Sequence, residues 1–167
     1  PDQIKIHDSL TESYVGAKDV EKANHHQSFQ VFISKKYYGI NNLQVDESLN
    51  KLSQWYKRTG QIYSEREIHR ELLNRQETRK ESDMASLVET YKNLSFSHRR
   101  EGMYLFQSIN PLKEAIEAIN LMDAPDLNLK FEVLLDLGDK YISFGRIQSA
   151  KKAYLECWML INEDQLM

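Results

Sequence analysis

Three prolines and six glycines are few for 167 residues. An all-β chain of this length needs a turn roughly every 8–12 residues and draws on both residue types to make them. Their scarcity points away from sandwiches and barrels. Cysteine occurs once, at Cys157. No internal disulfide can form, so the fold does not rely on an oxidising compartment. Apolar runs approaching the ~18 residues of a membrane span are missing, and the mean hydropathy is −0.62. No membrane partner is expected. Charge of one sign is also missing: 22 Lys and Arg stand against 25 Asp and Glu, for a net charge of −3. A general polyanion binder needs a basic excess, so direct nucleic-acid binding is not expected. No secretory signal is visible, and a cytoplasmic location is the expectation that remains. The sequence shows no Gly-rich phosphate loop, no metal-ligand spacing and no Ser/His/Asp set. An enzyme, a cofactor and a metal site are therefore not expected.

What is present is periodic. The stretch Leu137-Gly138-Asp139-Lys140-Tyr141-Ile142-Ser143-Phe144-Gly145 reads as a helix ending in a glycine turn, and Arg146 to Tyr154 as a second helix running back. Small residues, Gly138 and Ala150, fall where two helices approach closely, and Leu137, Tyr141 and Tyr154 fill the seam. The pattern recurs at Leu10–Lys18, Leu52–Gly60 and Leu94–Gly102. Its aromatic slot is Tyr14, Tyr56, His98 and Tyr141, spaced 42, 42 and 43 residues apart. Four helical hairpins follow, over about 4–43, 45–81, 82–123 and 126–162.

Local signals suggest the helix ends. Asp46 is a candidate N-cap for the second hairpin, and Ser64 with Glu67 fits a capping box for its return helix. Ser82 or Asp83 is a candidate start for the third hairpin. Gly39 suits a left-handed C-terminus, and Asp126 after Pro125 suits a new N-terminus. Asn110-Pro111 leaves two readings, a kinked helix or a fresh one capped by Asn110. The second is preferred, with 112–121 helical.

These residues resemble the tetratricopeptide repeat (TPR) family, whose usual unit is about 34 residues. Leu137, Gly138, Tyr141, Gly145, Ala150 and Tyr154 match its motif position by position. Ser53, Ser95 and Thr11 replace the motif glycine in the other units, and Glu65 and Gln107 replace the small residue, which implies looser packing there. The longer unit is similar to that of kinesin light chains and of many bacterial regulators and scaffolds; the stretch Gly60 to Leu73 is especially similar. The resemblance implies an all-α, right-handed superhelical solenoid of about four antiparallel helix pairs, with a concave groove lined by the first helix of each pair.

The family's groove slots, carried over to this chain, fall on Asp8, Glu12, Val15 and Gly16, then on Asn50, Gln54, Lys57 and Arg58. In the third and fourth units they fall on Lys92, Phe96, Arg99 and Arg100, and on Leu135, Asp139, Ile142 and Ser143. Lys57-Arg58 and Arg99-Arg100 are one repeat apart. With Lys92 they form a basic strip that suits an acidic segment or carboxylate, which Arg grips through paired donors. Asn50, Gln54 and Asn93 add hydrogen bonds, and Phe96 adds an apolar face. The competing reading makes the basic pairs solvated helix ends that favour the helix dipole. The family's carboxylate clamp needs Lys and Asn where Asp8 and Glu12 stand, so it is not expected. His25 and His26 are adjacent and diverge on a helix. His7, His69 and His98 take core or seam slots. Cys157 takes a small buried slot. Glu65, Glu67 and Glu71 with Arg66 and Arg70 read as a solvated, charge-paired face.

The implied function is a non-enzymatic scaffold that holds a partner peptide or helix. The alternative is the sensor segment of a bacterial signalling or transcription regulator that binds a small ligand or signalling peptide. Trp158, Met159, Leu160 and Ile161 leave the last repeat apolar, as does the region around Ile4 the first. Either a further repeat or a partner covers them, or the chain self-associates. A chain that opens on Pro1 fits a slice of a longer array.

Overall fold

The computed structural model describes residues 2–79, 83–100 and 105–164, the side chains of 99, 100, 105, 106, 163 and 164 excepted. The described residues form eight α-helices and no strand. They are α1 (Asp2–Gly16), α2 (Val20–Tyr38), α3 (Leu43–Arg58), α4 (Ile62–Thr78), α5 (Met84–Arg100), α6 (Ile109–Asn120), α7 (Leu127–Ser143) and α8 (Ile147–Asp164), with a short 3-10 turn at Leu105–Ser108 before α6. The helices group into two compact units, Pro1–Arg75 and Gln76–Met167.

The turns inside the hairpins are the same structure made three times. After the aromatic slot the chain takes one left-handed residue, at Lys18, Gly60 and Gly145, with φ of 60°, 74° and 68°. The next N–H then returns to the aromatic residue's carbonyl: Asp19 to Tyr14 at 2.9 Å, Gln61 to Tyr56 at 2.9 Å and Arg146 to Tyr141 at 2.8 Å. Such bonds satisfy carbonyls that a helix C-terminus leaves open. Glycine adopts the left-handed region freely. Lys18 does so against its Cβ, at a cost of about 1–2 kcal/mol.

Unit 1 is built on the apolar stripe of α3. Val45, Leu49, Leu52 and Trp55 lie on one helical face and cluster with Ala23, Val31 and Leu72, with Tyr14, Tyr56 and Ile68 at the margin. Each such buried side chain contributes about 1.5–3 kcal/mol. Beside this cluster lies a buried ion pair: Arg75 donates to Asp46 at 2.6 Å and also to the carbonyls of Ile40 and Asn42. It ties α4 to the turn between α2 and α3. Asp46 is therefore not the N-cap of α3. The helix starts earlier, capped by Asn42, whose side chain accepts from the Gln44 N–H at 2.9 Å. Ser64 likewise lies inside the first turn of α4, which starts at Ile62, so it is no capping residue.

In unit 2, Asp83 accepts from the Ala85 N–H just before α5, whereas Ser82 lies outside the described residues. Asp126 caps α7, accepting from Leu129 N–H at 3.0 Å. Pro111 is the third residue of a fresh helix, where its missing N–H costs nothing. The capping position is Ser108, which makes no side-chain cap bond, and not Asn110. Leu134, Leu137 and Tyr141 are buried on one face of α7, and Ala150, Ala153 and Cys157 on one face of α8. At Gly138 a Cβ would fall within 2.8 Å of three ring atoms of Tyr154, so glycine is what admits the tyrosine there.

Candidate functional site

The groove slots of the first two repeats converge in unit 1. On α1, Asp8, Thr11 and Glu12 share a face through i, i+3 and i+4 spacing; on α3, Lys51, Gln54, Trp55 and Arg58 share another. Together with Gln27 of α2 these residues line a cleft of about 310 Å³. Trp55 is buried and fixed by its indole N–H, which donates to Asn24 Oδ1. Asn24 is held in turn by Gln61, whose amide donates to it at 3.0 Å. The Arg58 guanidinium lies 5.3 Å from the Trp55 ring centroid, a cation–π arrangement that keeps an exposed charge in place. Thr11 is buried, its hydroxyl donating to the His7 carbonyl at 2.9 Å.

The cleft has two electrical walls. Asp8 and Glu12 make one side acidic, and Lys51 and Arg58 make the other basic. The expected Gln54 and Arg58 are here; Asn50 is half-buried on the same helix, and Lys57 is exposed at its end.

The slots of unit 2 are differently occupied. Lys92 reaches Glu132 at 2.9 Å and Glu89 at 3.8 Å. Burial works against its charge, yet the bond to Glu132 and the nearby Glu89 and Asp136 hold its pKa above the usual lysine value. Asp139 accepts from the Tyr154 hydroxyl at 2.7 Å. Phe96, Leu135 and Ile142 are exposed. The side chains of Arg99 and Arg100 lie outside the described residues.

The charged face expected on α4 is a correction. Glu65 and Arg66 are buried, at 1% and 5% exposure. Arg70 pairs with Glu67, and Glu71 pairs with Lys35 of α2 at 2.6 Å. Buried near Glu65 is His69, with Nε2 3.9 Å from Oε1. Burial first, then the positive charge of Lys57, lower its pKa to about 4.

Sequence reasoning placed the histidines apart, but two of them meet. His7 Nδ1 and His26 Nδ1 are 2.9 Å apart across the seam of α1 and α2. Tyr14 stacks on His26 with ring centroids 5.3 Å apart. The two histidines stand 19 residues apart in sequence, a separation set by hairpin length that no local motif announces. Burial, then His7 and His25, lower the pKa of His26. No group of three His, Cys, Asp or Glu side chains among the described residues is placed to hold a metal ion. Cys157 is buried, its thiol against the Phe131 carbonyl at 3.8 Å. No helix among the described residues is long and apolar enough to cross a membrane.

No family model matches the chain, and no curated protein matches it. Solved structures do. One is BtubC (BKLC) from P. vanneervenii, with a TM-score of 0.72 at 17% identity, covering 97% of this chain and 64% of that one. The chain thus spans less than two thirds of that protein's length. A putative kinesin light chain from Podosopora anserina with nearly identical TPR-like repeats gives a TM-score of 0.76 at 16% identity, over 99% of this chain and 78% of that one. A point variant of the same protein gives 0.75 at 16% identity, over 100% and 78%. At these identities the likeness is one of fold. It agrees with the recurring aromatic slot and the repeated turn. The chain is an all-α helical-repeat solenoid of the TPR-like kind.

Proposed function

We propose that the chain is a non-enzymatic protein–protein interaction scaffold whose groove helices hold a peptide or helix of a partner. The observation that carries this is the cleft between α1 and α3, formed by seven side chains that two helices and a one-repeat offset bring to one place, together with Gln27 of α2. A partner segment with both signs of charge fits it. Its acidic side chains meet Lys51 and Arg58, and its basic ones meet Asp8 and Glu12. Arg58, propped on Trp55, is the anchor, since a pre-positioned guanidinium loses little freedom when it grips a carboxylate. The matching slots of unit 2, Phe96 with Arg99 and Arg100, are assigned the same acidic-segment role. Association of the chain with itself is a second, apolar mode, because both terminal repeats carry exposed apolar side chains.

The test is an array of short peptides graded from acidic to basic, probed with labelled wild type, Arg58→Glu and Asp8→Lys. Wild type retains peptides that carry both charges. Arg58→Glu loses those rich in Glu and Asp, and Asp8→Lys loses those rich in Lys and Arg. Retention that neither substitution changes refutes the groove reading.

A further inference from the structure

The repeat joint inside unit 1 is a template for a second joint. In the first, Val31 of α2 is covered by α3, sharing one apolar cluster with Val45 and Leu49. Val31 stands 17 residues after the aromatic slot Tyr14, and the residue 17 after Tyr141 is Trp158 of α8. The slot that the first repeat buries at 6% exposure is a tryptophan at 63% exposure in the last. Ile142, Ile147, Leu155 and Trp158 are exposed around one open apolar depression of about 530 Å³.

The other half of the template is also uncovered among the described residues. Val45 and Leu49 of α3 stand 42 residues after Gln3 and His7 of α1. Gln3 and His7 line a second open depression, of about 470 Å³, with Ile6, Phe29, Phe32 and Tyr37. These four apolar side chains are exposed. One chain therefore displays both faces of a repeat joint, one on its first hairpin and one on its last. Contiguous exposed apolar patches of this kind mark association sites.

We propose that a second copy of the chain supplies the cover: the Trp158 face of one chain seats on the α1–α2 depression of the next, repeating the α2–α3 packing between molecules. This deepens the self-association reading and uses none of the residues that line the cleft between α1 and α3. The two faces differ in every residue, so the contact is heterologous and leaves each end free to add another copy. Lys36 borders one face and Lys151 the other. Like charges at the rim make the contact apolar in origin, so salt strengthens it.

The experiment is sedimentation velocity on wild type, Trp158→Glu and Phe32→Glu, each alone and with the two variants mixed in equal amounts. Both positions are on the surface, so circular dichroism should stay that of wild type; Leu155→Glu and Ile6→Glu replace any variant that loses helix signal. Wild type gives a mass that grows with concentration and with salt. Each variant alone sediments as the 19.7 kDa chain, with association weakened about 30-fold or more, as for a buried aromatic anchor. The mixture regains one intact joint, Trp158 of the Phe32→Glu chain on Phe32 of the Trp158→Glu chain, and stops at the dimer. A monomeric wild type at all concentrations overturns self-association altogether. An associating wild type whose mixed variants stay monomeric, or whose single variants still associate, overturns the head-to-tail joint alone.

Discussion

Replacing Gly138 by alanine should destabilise the protein, although alanine is the better helix former. Gly138 lies inside α7 against α8. A Cβ there falls within 2.8 Å of three Tyr154 ring atoms, whereas carbon atoms at contact stand about 3.5–4.0 Å apart. The ring must swing away. It then gives up the hydroxyl bond to Asp139, about 1 kcal/mol, and part of its burial, about 1–2 kcal/mol. Alanine returns about 1 kcal/mol through helix propensity. The net loss is about 1–2 kcal/mol. At about 2–4 °C per kcal/mol for a chain of this size, the melting temperature should fall by a few degrees.

The decisive measurement is a double-mutant cycle by urea and thermal melts. In a Tyr154→Ala background the obstruction is gone, so Gly138→Ala should stabilise by about 1 kcal/mol. The sign reverses between backgrounds, and the coupling is about 2–3 kcal/mol. If alanine at 138 stabilises both backgrounds equally, the glycine is not there to admit the tyrosine, and the packing of α7 on α8 is misread.

His69 makes stability depend on pH. Its folded pKa is lowered from 6.5 to about 4, so the unfolded chain binds a proton first. The stabilisation is complete above pH ~6.5 and is lost as pH falls from there to about 4, by up to about 3 kcal/mol. His69→Gln should flatten that part of a stability-against-pH curve measured by urea melts; an unchanged curve would assign the acid loss elsewhere. Asp46→Ala should cost about 3–5 kcal/mol, because it leaves a buried guanidinium without its carboxylate. Chemical denaturation of Asp46→Ala, Arg75→Met and the double variant checks this. A double variant no more stable than Asp46→Ala would contradict it.

The turns were the most legible part of the fold, because a left-handed residue narrows the choice of side chain so far. Gly39, Gly60 and Gly145 all have positive φ, and the aromatic slot before each hairpin turn sets the repeat length. Helix starts were less legible. Several polar side chains near one boundary can each cap, and the winner depends on where tertiary packing lets the helix begin. Asn42 rather than Asp46 caps α3 because Asp46 is already taken by Arg75, 29 residues away. Buried charge was not legible at all. Glu65 and Arg66 belong to a run of charges with the i, i+4 spacing of a solvated face, and only the neighbouring helices decide that these two are covered. The candidate site was half legible for the same reason. The repeat offset alone brings Asp8 and Glu12 beside Gln54 and Arg58. Yet the offset says nothing of which charges cancel, and Lys92 is held by Glu132, a residue 40 positions on.

The glycine of the fourth repeat shows how slot pairs, more than single slots, carry the packing. Thr11, Ser53 and Ser95 stand where Gly138 stands, and all three are buried. Each has a Cβ and a hydroxyl that donates to a carbonyl: Thr11 and Ser53 back along their own helices to His7 and Asn50, and Ser95 across to Ser108 at the start of α6. The slot 16 residues later, Tyr154 in the fourth repeat, is Gln27, His69 or Pro111 in the others. Where the return helix brings the tyrosine ring, the first helix gives up its Cβ; where it brings Gln27, His69 or Pro111, a hydroxyl is kept. A sequence pattern that scores each slot alone marks repeats one to three as degraded copies. As pairs, Thr11 with Gln27 and Ser53 with His69 combine buried side chains of another kind, and Thr11 and Gln27 both stand in the wall of the candidate cleft. The departure from the repeat pattern and the chemistry of the cleft are thus one and the same choice of residues.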